Sequence, residues 1–134
     1  MKILILEDDK DRHRLFIRNL ANHDIVIVTK TQEAIDLLQN SSWDVIYLDH
    51  DLDGQVYVES GPGTGYEVAE WLSKNLDRKP QIVIVHTFNM LGSENMKELL
   101  PEAIVCPGAW MRSIEQVLES LSSNGEDGGP SSRR

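Results

Sequence analysis

A chain of 134 residues with 40% apolar content is enough for one domain around a single buried core, without disulfide or metal staples. Thirteen Lys and Arg against 22 Asp and Glu leave a formal charge of −9, which excludes an extended nucleic-acid or anionic-lipid surface, because either needs a basic patch. The lone cysteine, Cys106, cannot close an internal disulfide, and neither a secretion signal nor a bilayer-length apolar run is visible, so the expectation is a cytoplasmic protein without membrane contact.

Met1 to Leu6 is an apolar run broken only by Lys2; it reads as a buried strand that stops at Glu7-Asp8-Asp9. The period then changes. Phe16, Ile17 and Leu20 make one helical face, with His13 at its edge and Asp9 and Asp11 as helix-start acids. Ile25 to Thr29 is a β-branched second strand, and Ala34, Ile35 and Leu38 give a second helix. The third strand is the short apolar run in the stretch Trp43 to Gly54, and it ends in Asp49-His50-Asp51. Residues 53 to 64 contain Gly54, Gly61, Pro62 and Gly63, a long loop that serves either as a lid or as a surface insertion. Gly65 opens a third helix through Val68, Ala69, Leu72 and Leu76; Ile82 to Val85 is the fourth strand, stopping at His86-Thr87-Phe88-Asn89. A short helix capped by Ser93 is expected next, followed by a fifth strand over Ala103 to Cys106 and a last helix on Ile114, Val117, Leu118 and Leu121. Trp71 and Trp110 are expected to pack, Cys106 to be a small buried residue, and residues 122–134 to form a disordered tail after a domain spanning 1–121.

Five alternations of strand and helix predict an α/β fold, a five-stranded parallel sheet with helices on both faces. In such sheets ligands sit beyond the carboxyl ends of the strands. The loops after strands one, three and four therefore bring Glu7, Asp8, Asp49, Asp51, His86, Thr87 and Asn89 to one cleft. Carboxylates clustered that closely either hold a proton or bind a cation. Oxygen donors suit Mg²⁺, and a histidine widens the choice to Mn²⁺ or Zn²⁺. A carboxylate beside such an ion can attack phosphorus, so phosphoryl chemistry on a small phosphate-containing ligand is the reaction class expected.

Three stretches carry a resemblance. Lys2 to Asp9, Asp44 to Asp49 and Gly65 to Ala69 resemble the first strand, phosphoacceptor strand and third helix of response-regulator receiver domains, whose fold is flavodoxin-like. The resemblance implies Mg²⁺ held by Glu7 and Asp8 and a phosphoacceptor at Asp49. Two positions depart from it: His86 stands where strand four ordinarily ends in Ser or Thr, and Cys106-Pro107 replaces the Lys-Pro of strand five. The long loop, Asp49-His50-Asp51-Leu52, His86-Thr87-Phe88-Asn89, Gly92 and Asn95-Met96 are similar to a divergent branch, the cyclic-phosphate processing receiver domains. That likeness implies activity on a cyclic phosphate. It makes Glu7, Asp8, Asp49 and Asp51 the candidate metal ligands, Asp51 through either its carboxylate or its carbonyl. Asp49 and His86 are the candidate catalytic pair, with His86 as general acid or base, or simply a hydrogen-bonded strand-end histidine. Thr87 and Asn89 either bind phosphate oxygens or cap the next turn, and His50 alternates away to pack against a helix. The alternative function is a stand-alone receiver phosphorylated on Asp49, or a non-catalytic pseudo-receiver that docks a partner protein.

Overall fold

The computed structural model describes residues 1–127, with side chains through residue 120. The elements follow in order: β1 (Lys2–Leu6), α1 (Lys10–Asn19), β2 (Asp24–Val28), α2 (Thr31–Asn40), β3 (Val45–Leu48), α3 (Gly65–Lys74), β4 (Ile82–Val85), α4 (Met90–Leu99), β5 (Ile104–Val105) and α5 (Ile114–Asp127), with short 3-10 turns at Leu76–Arg78 and Ala109–Met111. All pairings are parallel and the strand order is β2-β1-β3-β4-β5, the flavodoxin-like receiver topology read from the sequence. Order reverses beside β1, so the cleft opens at the carboxyl ends of β1 and β3.

The central strands are buried on both faces, which is why they read as unbroken apolar runs rather than alternating ones. Alternation still sorts their side chains into two cores. Ile3, Ile5, Val45, Tyr47 and Ile84 meet Phe16 and Leu20 of α1 and Ile114 and Val117 of α5. Leu4, Leu6, Ile46, Leu48, Val83 and Val85 meet Ala34, Ile35 and Leu38 of α2, Val68, Ala69 and Leu72 of α3, and Met96 of α4. The first of these faces buries 11 apolar side chains and the second 18, the larger ones worth roughly 1.5–3 kcal/mol apiece before conformational entropy is set against them.

Helix α1 starts where Asp9 caps it, its side chain accepting from the Asp11 and Arg12 N–H groups. The expected cap of α4 is corrected. Asn89, not Ser93, is the N-cap, its Oδ1 accepting from Gly92 N–H at 2.9 Å, and Gly92 and Ser93 lie inside the first turns of the helix. Helix α5 also runs past Leu121, the last residue of its apolar spacing, to Asp127. Residues 128–134 of the expected tail lie outside the described residues. Cys106 is half-buried rather than buried, since β5 is an edge strand. Trp110 is buried and Trp71 partly so, both packed as expected. Among the described residues no helix is long and apolar enough to cross a membrane.

Candidate functional site

The site follows from register. Ile5, Tyr47, Ile84 and Ile104 stand side by side across β1, β3, β4 and β5. Two residues further along, on the same face, come Glu7, Asp49, His86 and Cys106. The ladder continues through them, Asp49 N–H donating to Leu6 O, His86 N–H to Leu48 O and Cys106 N–H to Val85 O. Glu7, Asp49 and His86 are each buried, and one ligand atom from each lies within 4.8 Å of the other two.

These three groups are not equivalent. His86 Nε2 lies 3.0 Å from Glu7 Oε1, Asp9 N–H donates to Glu7 Oε2 at 3.0 Å, and an Arg12 guanidinium nitrogen stands 3.4 Å from Oε1. Burial alone would raise the Glu7 carboxyl, but those hydrogen bonds, the one from His86 first, and the Arg12 charge outweigh it and hold Glu7 below the usual carboxylate range. Burial lowers His86, so its ring is neutral and serves Glu7 as an N–H donor rather than as a counter-charge. The low value of Glu7 therefore rests on hydrogen bonding and on Arg12. Asp49 goes the other way. Burial, then the charge of Glu7, pushes its carboxyl up to about 8, against the His50 N–H donated to Oδ1 at 2.8 Å and Arg12 at 3.8 Å from Oδ2. The pair thus shares one proton at neutral pH, as two buried carboxyls forced together do.

An open cleft of about 320 Å³ lies over Asp49, lined by Asp8, Arg12, Asp51, Tyr57, Thr87 and Phe88 among others. Glu7 and His86 form its floor behind Asp49 and do not line it. The His86 ring lies in an aromatic nest, 5.3 Å from Phe16 and 5.7 Å from Trp110 by ring centroid, and its Nδ1 has no hydrogen-bond partner. Asp8 lines the cleft, but its Oδ2 accepts from Gly54 N–H at 2.9 Å and its carboxylate stands outside the buried cluster. Asp51 also stands outside it, its carboxylate turned to the His50 side and the glycine-rich loop. Oδ1 meets His50 Nδ1 at 2.7 Å and Asn89 Nδ2 at 3.0 Å, and Oδ2 accepts from Tyr57 N–H at 2.6 Å. Those hydrogen bonds lower the Asp51 carboxyl despite partial burial. Asn89 is equally committed, its amide donating to Asp51 and to Val58 O at 3.0 Å while its oxygen caps α4. Thr87 lines the cleft, and its hydroxyl accepts from Asn89 N–H at 3.1 Å.

On the opposite face, His50 is fully buried, as its alternation predicts, and lies against α4. Its Nε2 meets Ser60 Oγ at 2.9 Å, where Asn95 Nδ2 also donates at 2.9 Å. His50, Asp51, Asn89 and Asn95 thereby pin the glycine-rich loop at Tyr57, Val58 and Ser60, holding Tyr57 at φ 53°. Two glycines make room for this arrangement. A Cβ at Gly92 would lie 2.5 Å from the His50 ring, and one at Gly65 would lie 1.7 Å from Asp49 O, where α3 abuts the strand end.

Sequence reasoning missed Arg12 and the work of Trp110. Arg12 stacks on the Trp110 ring, 4.0 Å from its centroid. The signal was there in the spacing: Arg12 is one helical turn after Asp8, on the turn that Asp9 caps, and so faces the acids.

With this geometry in hand, comparison with known proteins identifies the fold's relatives. A profile of the cyclic-phosphate processing receiver domain matches residues 2–102. The chain belongs to that family. Comparison with curated proteins gave no match. Among solved structures, the Mn²⁺-bound form of the response regulator Rcp1 is similar at 22% identity and TM-score 0.64, over 91% of this chain and 89% of that one. The response regulator TrrA from Thermotoga maritima, in complex with Mg²⁺-BeF, is similar at 18% identity and TM-score 0.65, over 91% and 96%. The regulatory domain of mrkE from Klebsiella pneumoniae matches at 20% identity and TM-score 0.65, over 94% and 98%. At these identities the likeness establishes the receiver fold. What the family member here does with it depends on its own residues.

Proposed function

We propose that this receiver-like domain is a metal-dependent phosphoesterase that opens cyclic phosphates. The observation that carries the reading is the buried Glu7-Asp49-His86 cluster beside an open cleft, with Asp49 on the cleft wall. A doubly charged ion fits that donor set better than a proton does, since it would answer both carboxylates at once. Glu7 and Asp49 would hold it, with Mg²⁺ favoured by the oxygen donors and Mn²⁺ or Zn²⁺ by any share taken by His86. The Mn²⁺-bound form of Rcp1 and the Mg²⁺-BeF complex of TrrA support a divalent ion on this scaffold. Such an ion supplies charge neutralisation and polarisation of a phosphoryl oxygen.

The chain's own groups then divide the work. Asp49, the one cluster member on the cleft wall, is the reacting carboxylate. His86 reaches the cleft only through Glu7, and its role is to fix that carboxylate's rotamer and keep it ionised. Thr87 offers its hydroxyl to a phosphate oxygen from the cleft wall. Asp8 borders the same space and can hold metal-bound water.

A second reading has its own support. Val56, Tyr57, Phe88, Met90, Leu91 and Met111 are all exposed on or beside the loops around the cleft, an apolar rim suited to a protein partner of a signalling receiver. A hydrolysis assay against 2′,3′-cyclic nucleotides and simple phosphate monoesters, with Mg²⁺, Mn²⁺ or Zn²⁺ and with chelator, separates the two. Metal-dependent turnover abolished by Asp49→Asn supports the esterase. Absence of turnover together with a phosphoryl mass gain on Asp49 from acetyl phosphate replaces it with the signalling reading.

A further inference from the structure

In an ordinary receiver, as the resemblance implies, the cation facing the phosphoryl group is the lysine that ends strand five. Here that register position holds Cys106, beside His86 in the ladder. The cleft is not without a cation, however. Arg12 lines it, is partly exposed, and points one guanidinium nitrogen at Glu7 Oε1 (3.4 Å) and Asp49 Oδ2 (3.8 Å). Its plane rests on Trp110, whose backbone carbonyl is tied to α1 by Asn19 Nδ2 at 2.7 Å and whose ring edge is braced by Phe88 at 5.5 Å. The segment after β5 thus still contributes to the cation's position, by a ring face rather than by a charged side chain.

We propose that Arg12 is the phosphate-binding cation of this cleft and that Trp110 is its positioning residue. The inference rests on the divalent-ion reading above. A divalent ion taken up by Glu7 and Asp49 satisfies the carboxylates that now hold Arg12. The guanidinium then keeps its stack on Trp110 and turns its freed N–H groups to the non-bridging oxygens of a phosphate in the cleft. A planar, permanently charged fork suits two phosphate oxygens at once, which a lysine at the strand end cannot match. The long Arg12 side chain also explains how the site tolerates Cys106, since the charge arrives from α1, which packs on the same face of the sheet against the segment that follows β5.

The test uses the whole chain, Mn²⁺ followed by electron paramagnetic resonance, and inorganic phosphate titrated calorimetrically into the Mn²⁺-loaded protein. Arg12→Ala is expected to weaken phosphate binding about ten- to hundredfold, while Mn²⁺ binding is retained or tightens because a competing cation has left the carboxylates. Retained Mn²⁺ binding also shows that the variant folds. Arg12→Lys, which keeps the charge and loses the fork, is expected to fall between the two. Trp110→Leu is expected to weaken phosphate by a smaller factor at unchanged Mn²⁺ affinity. Equal phosphate affinity in wild type and Arg12→Ala, with Mn²⁺ bound by both, overturns this inference alone. Failure of the wild type to bind Mn²⁺ overturns the metal reading and this inference with it.

Discussion

Asp49→Asn should make the metal-free protein more stable, although it removes the residue on which the proposed chemistry depends. The Asp49 carboxyl is 3% exposed and pushed up to about 8, whereas in the unfolded chain it titrates near 3.8. Below pH 3.8 both states hold the proton and the site costs nothing. Between 3.8 and 8 the unfolded chain releases the proton while the folded protein keeps it, so stability falls as pH rises through that window. At 1.36 kcal/mol per unit the loss at pH 7 has a ceiling of about 4 kcal/mol, shared with Glu7, whose charge contributes to it. Glu7 has the opposite sign: its stabilising contribution is present above 4.5 and is lost as pH falls below it, overlapping the Asp49 window only between 3.8 and 4.5. Asn removes the Asp49 term while keeping the shape. Thermal and urea denaturation with chelator should therefore show Asp49→Asn more stable by about 1–4 kcal/mol at pH 7–8, the gap shrinking towards pH 4. Saturating Mg²⁺ or Mn²⁺ should stabilise the wild type by mass action and leave the variant nearly unmoved. A variant less stable than wild type at pH 8, or a gap that does not change with pH, would refute the burial argument.

Three further outcomes follow from the same contacts. Gly65→Ala places a Cβ 1.7 Å from Asp49 O, backbone against backbone, and should cost about 3–5 kcal/mol in urea denaturation. His86→Ala strips a buried donor from ionised Glu7, and Glu7→Gln in the same chain should recover part of the loss; a double-mutant cycle is expected to give about 1–3 kcal/mol of coupling, and additivity would dismiss the pairing. Asp51→Asn removes the charged acceptor that holds Tyr57 N–H at 2.6 Å in a left-handed conformation, so hydrogen exchange at the Tyr57 amide should accelerate about ten- to hundredfold while the β1 and β3 amides stay protected.

The fold was legible because the strands are buried on both faces and announce themselves as apolar runs, and because acids and histidine interrupt them at one end. Register carried more than motif. Counting two residues on from Ile5, Tyr47 and Ile84 puts Glu7, Asp49 and His86 in one row, and the same alternation sends His50 to the other face. What pattern could not supply was which carboxylates converge in the buried cluster. Asp8 and Asp51 look equivalent to Glu7 and Asp49 in sequence, yet Asp8 accepts from Gly54 N–H and Asp51 is taken up by His50, Asn89 and Tyr57. Those bonds depend on the path of a loop with no periodicity to read. The cap of α4 was misplaced for a related reason. Gly92-Ser93 resembles a helix start, but the glycine is there to admit the His50 ring.

The two faces of the strand ends therefore answer different demands. Residues in the Glu7-Asp49-His86 row place charge where an ion and a phosphate would sit, and their cost is the buried proton on Asp49. Residues on the His50 side, joined by Asp51 and Asn89, hold the loop that walls the cleft. An ordinary receiver couples its strand-five lysine directly to the phosphoacceptor. In this chain the cation comes from α1 and reports to the β5 side only through Trp110. Asn89 ties the turn after β4 to Asp51 and to Val58 of the loop. A turn tied down in this way suits a fixed pocket, and it adds to the support that the buried cluster lends the proposed esterase reading over the switch.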